Sequence, residues 1–213
     1  TWVGKYFLHK SFSPDVVDKD MSAGATTQYN SRNWNFRAGA VFVGENYRTD
    51  LGFLRRTDVF KISPKIERVF WPKQGQIQKH SFSVSPFFLW KPEQDWENSD
   101  YTIVSNYTAD FQNTSKVQLD VFSRYTHLYY AFDPTGTDGG TPLPVGDYYY
   151  TSYDLSYNSD QRNELYYTLG PSVGKFYNGK KYSFKGQLIW RLQPFFTGSV
   201  EINYDDIRLP DPH

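Results

Sequence analysis

The most regular pattern in this chain is an alternation of apolar and polar residues. The clearest example is residues 180–192, where one set of alternate positions is apolar and rich in aromatic rings: Tyr182, Phe184, Gly186, Leu188, Trp190 and Leu192. The intervening set is mostly polar, from Lys181 through Lys185 to Arg191. Because successive side chains of an extended chain point to opposite sides, this period predicts a β-strand with one apolar and one polar face.

The same pattern recurs along the chain and predicts about eleven strands, near residues 2–12, 22–30, 34–43, 58–70, 76–90, 101–111, 116–128, 148–157, 164–176, 180–192 and 197–206. Long connections (13–21, 44–57, 91–100 and 133–147) alternate with short ones, so the long loops are expected to share one side. Asn178-Gly179 predicts a two-residue hairpin turn.

Alternation alone fits both a soluble β-sandwich and a membrane β-barrel, because each buries one face of every strand. Aromatic residues lie toward the strand ends and small residues such as Ala38, Ala40 and Gly186 lie in strand middles, which favours a barrel with aromatic belts. The sequence therefore predicts an all-β, antiparallel transmembrane β-barrel. Its expected lipid-facing belt comprises Trp90, Tyr101, Tyr149, Tyr182, Trp190 and Tyr204.

Composition removes several classes of function. The 23 basic and 23 acidic residues balance, so strong attraction for nucleic acid is not expected. The absence of cysteine excludes disulfides, thiolate nucleophiles and zinc–thiolate sites. No stretch approaches the roughly 20 apolar residues of a membrane helix, so any membrane crossing is expected to use strands.

Charge placement supports the barrel, since Arg or Lys facing lipid at mid-depth costs about 2–4 kcal/mol. Five basic residues lie mostly on the polar register of their strands: Lys61, Lys65, Arg124, Lys185 and Arg191. They are expected to line a wet interior and to pair with Asp120, Asp154, Glu201 or Asp205. In the sandwich alternative, they face bulk water instead.

Residues 46–58 read Asn-Tyr-Arg-Thr-Asp-Leu-Gly-Phe-Leu-Arg-Arg-Thr-Asp, and their Gly-Phe-x-x-Arg-x-Asp core is distinctive. This segment resembles a family of Bacteroidota outer-membrane proteins, in which an uncharacterised β-barrel region follows an N-terminal family-9-like carbohydrate-binding module. Further similarity lies in residues 157–162, 174–180, 190–194 and 204–210. The resemblance implies a bacterial outer-membrane location but supplies no catalytic residues.

The whole of residues 1–213 is expected to belong to one outer-membrane β-barrel domain. The sugar-binding module and the final strands of the family are expected to lie outside this segment. The missing strands would come from the same protein or from another envelope protein, and membrane lipids are the other expected partner.

The densest group of charges is a candidate binding site that contains Arg48, Asp50, Arg55, Arg56 and Asp58, with Trp96 as an exposed ring that could stack on a sugar. Guanidinium groups grip carboxylate and phosphate groups bidentately, so an anionic surface glycan is one expected ligand. The favoured alternative is an internal salt-bridge cluster that holds a loop folded inward.

Catalytic and metal sites have little support. Asp133 and Asp138, in a Gly-rich loop, and the group Asp15, Asp18 and Asp20 are interpreted as turn residues rather than calcium ligands. His127 with Asp133 is the least implausible catalytic dyad, although a structural histidine is favoured. No catalytic residue, metal or cofactor is therefore assigned, and the chain is not expected to be an enzyme.

Three hypotheses follow from these patterns. The leading one is an outer-membrane β-barrel protein that acts as a channel, a surface glycan-binding protein or a scaffold of an envelope complex. The second is a soluble β-sandwich carbohydrate-binding module. The third is an outer-membrane barrel hydrolase, which requires His127 or Asp133.

Overall fold

Twelve antiparallel β-strands form the fold in the computed structural model, which describes residues 1–12, 18–49, 54, 56–136 and 141–210. The strands are β1 (Trp2–Lys10), β2 (Met21–Asn30), β3 (Trp34–Val43), β4 (Val59–Ile62), β5 (Lys65–Phe70), β6 (Ile77–Lys91), β7 (Glu97–Phe111), β8 (Lys116–Leu128), β9 (Gly146–Asn158), β10 (Leu165–Phe176), β11 (Gly179–Leu192) and β12 (Phe196–Arg208).

All strands belong to one sheet in chain order, with β4 and β5 sharing the position between β3 and β6. The sequence predicts one strand over residues 58–70, but in the structure Ser63-Pro64 separates this segment into β4 and β5. Proline has no N–H to donate to a ladder, so a central strand is interrupted there. The sheet therefore has twelve strands in eleven positions, and the prediction of an all-β antiparallel fold is confirmed.

Connections of unequal length separate the two ends of the sheet. Residues 11–20, 44–58 and 129–145 connect strands at one end, here called the long-loop end. Residues 31–33, 71–76, 112–115, 159–164 and 193–195 connect strands at the opposite end, the short-turn end. The predicted sharing of one side by the long loops is therefore confirmed.

Two predicted connections differ in detail. The loop expected at 91–100 is only residues 92–96, because Asp95 and Trp96 adopt positive φ and turn the chain tightly. The hairpin turn expected at Asn178-Gly179 is instead Tyr177-Asn178, with Tyr177 at φ 51°. Gly179 opens β11, where an added Cβ would lie 2.3 Å from the Arg208 carbonyl oxygen.

Register divides the sheet into two faces, because residues directly opposite in antiparallel neighbours point to the same side. The apolar face carries the Tyr182, Leu188 and Trp190 set of β11. All the remaining strands contribute to it the residues that are in register with this set. The polar face carries the Lys181, Ser183 and Gln187 set. All five basic residues expected on the polar register, from Lys61 to Arg191, are on this face.

No second layer covers the apolar face in the part of the chain that is described. Every extensive strand-to-strand contact is between neighbours in the sheet, so the strands do not form the two packed sheets of the β-sandwich alternative. Among the described residues only five hydrophobic side chains are buried: Val43, Val59, Val69, Ala109 and Leu143. The accessible surface is 14354 Å², whereas a folded soluble protein of 24.9 kDa exposes about 10,200 Å².

Candidate functional site: the two faces and the long-loop end

The predicted belt residues all belong to the apolar face. Trp90, Tyr101 and Tyr149 lie near the long-loop end in one row of rings that crosses from β4 to β9. Successive centroid distances along this row are 6.0 Å for Phe60–Trp90, 5.7 Å for Trp90–Phe88, 6.1 Å for Phe88–Tyr101, 5.3 Å for Tyr101–Tyr125 and 4.8 Å for Tyr125–Tyr149. Tyr182 and Tyr204 are on β11 and β12 toward the same end.

A second group of rings lies near the short-turn end of the apolar face. Trp190 belongs to it, with its ring 5.7 Å from Phe196. Further pairs are Trp2–Tyr29 at 5.0 Å, Tyr29–Phe36 at 6.1 Å, Phe70–His80 at 5.0 Å and His80–Tyr107 at 5.9 Å. The six predicted residues are thus divided between two aromatic rows.

Between the two rows the described strands carry almost no charge on the apolar face. The exceptions lie near the long-loop end and include Lys175 on β10, beside Thr151, and Lys180, directly opposite it on β11. The uncharged positions between the rows are Gly4, Tyr6, Leu8, Ala23, Ala25, Thr27, Ala38, Ala40, Ile62, Ile66, Val84, Pro86, Ile103, Ser105, Leu119, Val121, Ser123, Thr151, Tyr153, Leu155, Leu169, Pro171, Val173, Phe184, Gly186, Leu188, Val200 and Ile202. Many of these side chains are exposed, including Leu188 at 43% and Ile202 at 57%. Arg68 lies within the row at the short-turn end, 4.7 Å from the Trp34 ring centroid.

The polar face contains one row of side chains that sequence analysis did not find. It runs in continuous register from β3 to β12 through Asn35, Glu67, Ser83, Asn106, Asp120, Asp154, Ser172, Ser183 and Asp205. We call it the acidic row, because its four ionisable members are all carboxylates. The carboxylates occupy polar strand positions in the sequence, but their common level depends on the pairing of distant strands.

Amides and hydroxyls of neighbouring strands donate to the carboxylates of the acidic row. Asn35 Nδ2 donates to Glu67 Oε2 at 3.1 Å, and Asn106 Nδ2 donates to Asp120 Oδ1 at 2.6 Å. Ser172 Oγ donates to Asp154 Oδ1, and Ser183 Oγ to Asp205 Oδ1, each at 2.5 Å. These hydrogen bonds give each of the four carboxylates a partner on a neighbouring strand.

The basic residues of the polar face pair with this row less than expected. Lys65 Nζ is 3.7 Å from Glu67, and Lys181 Nζ is 3.1 Å from Asp205. Asp120 and Asp154 lie directly opposite each other, and neither has a described Lys or Arg nitrogen within 4 Å. Like charges in this position repel, so the pair is stabilised by its amide and hydroxyl donors rather than by salt bridges.

A cavity of about 700 Å³ lies against the polar face of β8 to β12. Its floor consists of small residues on three adjacent strands: Ser152, Ser156, Gly170, Ser172, Gly174 and Ser183. Longer side chains border this floor, including Arg124, Tyr150, Phe176, Lys181 and Lys185. Small residues beside long ones leave a space lined by hydrogen-bond donors and acceptors, suited to water and small polar solutes.

Aromatic residues of the loops meet the long-loop end of the polar face. Phe132 and Leu143 in the β8–β9 connection exchange two backbone hydrogen bonds of 3.1 and 2.8 Å, and the Leu143 side chain is fully buried. The Tyr177 ring lies 6.2 Å from Phe132 and stacks on Tyr150 at 5.2 Å. Burial of this phenol raises the pKa of Tyr177 to about 12, with a further contribution from Tyr150.

The residues predicted as a binding cluster do not gather into one site where they are described. Arg56 Nη1 binds Asp100 Oδ2 at 2.6 Å, and Asp58 Oδ1 accepts the backbone N–H of Glu93 at 3.0 Å. Trp96 packs edge-on against Phe60 at 5.4 Å. These contacts join the β3–β4 connection to the β6–β7 hairpin, and the described Arg56 and Asp58 pair with residues of that hairpin and not with each other.

Of the remaining members of that cluster, only Arg48 lies in the described part of the chain, and its hydrogen bond is made elsewhere. The backbone N–H of Arg48 donates to Ser11 Oγ at 3.2 Å, on the β1–β2 connection. Asp50 and Arg55 lie outside the described residues. Nearby, Lys19 forms a salt bridge with Glu93, whose hydrogen bond raises the pKa of Lys19.

His127 does not pair with Asp133. Its Nδ1 lies 2.8 Å from Oδ1 of Asp147, the residue directly opposite on β9. Asp133 instead accepts hydrogen bonds from the backbone N–H and the hydroxyl of Thr135. The Tyr125 hydroxyl donates to the same Asp147 oxygen at 2.8 Å. The His127–Asp147 pair is therefore hydrogen-bonded to a tyrosine of the aromatic row near the long-loop end.

Comparison with protein-family models, with curated proteins and with solved structures finds no match for this chain. Within the described ranges, no three His, Asp or Glu side chains gather in a way that could hold a metal ion. The same ranges contain no helix that is long and apolar enough to cross a membrane.

Proposed function

We propose that this chain forms part of the wall of a transmembrane β-barrel in a bacterial outer membrane. Its apolar face contacts lipid, and its polar face lines a water-filled interior. One observation carries the proposal: an apolar band between two aromatic rows, in which charged residues such as Lys175 and Lys180 lie only near the long-loop end, with no described second layer over it. Lipid-facing strands have this distribution, because Tyr and Trp favour the two interfaces and charges are costly between them.

The dimensions of the band fit a membrane. Tyr182 and Trp190 are eight residues apart on β11, which corresponds to about 27 Å along a strand and about 21 Å across the membrane at a tilt of about 40°. The apolar band of outer-membrane barrels is about 25 Å tall. Every strand has at least nine residues except β4 and β5, which together cover one position.

Two open edges require further strands. Among the described residues, β1 and β12 are each paired along one side only, and unpaired backbone groups cost several kcal/mol each in hydrocarbon. With eleven positions and antiparallel neighbours throughout, β1 and β12 run in the same direction. An odd number of additional strands, from the same polypeptide or from another envelope protein, therefore closes an entirely antiparallel barrel.

Of the roles raised by the sequence, passage of polar solutes through the barrel interior has the best support. The acidic row gives the polar face a continuous line of carboxylate, amide and hydroxyl groups from β3 to β12, and the cavity lies against part of it. Glycan binding at the Arg48–Asp58 segment has less support, since Arg56 and Asp58 are engaged with Asp100 and Glu93. The hydrolase alternative loses its His127–Asp133 dyad.

Single-cysteine labelling tests the proposal, because the chain has no native cysteine. Cysteines are placed on adjacent positions of opposite faces, Leu188 with Gln187 on β11 and Leu119 with Gln118 on β8, and labelled with an environment-sensitive fluorophore in membrane vesicles. Nitroxide-bearing lipids should quench the labels at 188 and 119, and aqueous iodide should quench those at 187 and 118. Iodide quenching of all four labels alike would refute the lipid-facing assignment.

A further inference from the structure

One corner of the cavity combines a cation with two aromatic rings. Arg124 on β8 lies directly opposite Tyr150 on β9, and both line the cavity together with Phe176 on β10. The Arg124 guanidinium lies 4.2 Å from the Phe122 ring centroid and 5.9 Å from that of Tyr150. We call the cavity-lining residues Arg124, Tyr150, Ser152 and Phe176 the Arg124 corner.

The guanidinium of Arg124 has spare hydrogen-bonding capacity. Its Nη1 donates to Ser152 Oγ at 2.7 Å, and this is the one hydrogen bond found for its side chain among the described residues. No described carboxylate lies within 4 Å of it; Asp154 interacts with it only at longer range, and Asp154 is already bonded to Ser172. A guanidinium has five donors and stays charged at physiological pH, so most of its donors are available to a ligand.

The surroundings favour an anion that also has an apolar surface. Arg124 is half-buried, so its charge is partly desolvated without an adjacent counter-charge. A carboxylate that binds it gains charge-assisted, bidentate hydrogen bonds. Tyr177 stacks on the Tyr150 ring at 5.2 Å, but both Tyr150 and Phe176 still line the cavity and offer contact to a flat apolar group, and the small floor at Ser152 and Gly174 leaves room for it.

We propose that the Arg124 corner is a binding subsite for a small organic carboxylate with a flat apolar face. The carboxylate pairs with the Arg124 guanidinium, and the apolar face lies against Tyr150. Strands β8 to β10 form this corner within one sheet. The inference therefore holds whichever solvent covers the opposite, apolar face.

Arg191 provides a matched control. It lies on the same polar face, and its guanidinium stacks over the Tyr166 ring at 5.0 Å. However, its Nη2 donates to the Gln161 carbonyl at 2.5 Å, near the short-turn end. Arg191→Gln therefore removes the same charge from the same face without altering the Arg124 corner.

Titration calorimetry of the folded protein with benzoate, benzamide and acetate tests the subsite. Benzoate should bind at least about tenfold more tightly than neutral benzamide, and Arg124→Gln should weaken benzoate by at least about tenfold, as expected for a charge-assisted pair. The benzoate affinity of Arg124→Lys should lie between those of the wild-type protein and Arg124→Gln. Arg191→Gln should leave the benzoate affinity unchanged. Tyr150→Leu should weaken benzoate several-fold, on the order of a single lost ring contact, but not acetate.

Circular dichroism of each variant establishes that the sheet is retained, and Arg124→Lys keeps the charge if Arg124→Gln does not fold. Absence of benzoate binding to the wild-type protein at millimolar concentration would overturn the inference. Equal affinity for benzoate and benzamide, or an equal loss in Arg124→Gln and Arg191→Gln, would overturn it as well. None of these results bears on the cysteine-labelling test of the apolar face.

Discussion

Ile202→Arg is the substitution that separates a lipid-facing sheet from a water-facing one most sharply. Ile202 is at the middle of β12, on the apolar face, with 57% of its surface exposed. That fraction is roughly 100 Å², worth about 2.5 kcal/mol of transfer from water to lipid at 25 cal/mol/Å². An arginine at the bilayer midplane adds about 2–4 kcal/mol, so the membrane-embedded protein should lose about 5 kcal/mol of unfolding free energy.

In water the same change replaces an exposed apolar side chain with a charged one, and the expected effect is within about 0.5 kcal/mol. The assay is urea unfolding of the protein in lipid vesicles, followed by tryptophan fluorescence. Asn203→Arg is the control, since Asn203 is the next residue on β12 and belongs to the polar face. If both variants shift the unfolding free energy by similar small amounts, the reasoning that places lipid on the apolar face is refuted.

Other predictions concern backbone packing and pH. On β10, Gly174→Ala should destabilise the sheet by more than about 2 kcal/mol, because its Cβ would lie 2.4–2.5 Å from the β9 backbone, while Gly170→Ala, with its nearest contact at 3.5 Å, should be tolerated; thermal unfolding compares them. Hydrogen bonds from Arg162 hold the pKa of Asp160 well below its usual range. Asp160→Asn should therefore reduce stability at neutral pH. The difference from wild type should shrink as the pH falls from about 4 toward the depressed pKa of Asp160, because the carboxylate is then protonated. A difference that stays constant over this acid range would contradict the prediction. The pKa of Tyr177, raised to about 12 mainly by burial, predicts stability that is present below about pH 10 and lost as the pH rises toward 12. Tyr177→Phe should abolish that loss in alkaline unfolding measurements, and a wild-type-like alkaline profile would argue against it.

Much of the fold follows from the sequence, because the direction of a strand side chain is a local property. The alternation around Tyr182 and Lys181 assigns both faces of β11, and the six belt residues all belong to one face in the structure. The break within 58–70 was missed because Ser63-Pro64 interrupts the ladder without interrupting the apolar pattern. The turn predicted at Asn178-Gly179 lies one residue earlier in the structure, at Tyr177-Asn178, and the Tyr177 ring packs on Tyr150.

The candidate sites depended on contacts between residues distant in sequence. The polar positions of Asp120 and Asp154 can be deduced from alternation, but only the pairing of β8 with β9 sets them opposite each other. Likewise, only the packed loops bring Arg56 to Asp100 instead of to its neighbours in sequence. Side-chain alternation repeats every two residues and is fixed by the backbone itself, so the sequence by itself determined the strands and their faces. Register and loop packing join residues far apart along the chain, so the tertiary structure alone decided the acidic row and the Arg124 corner.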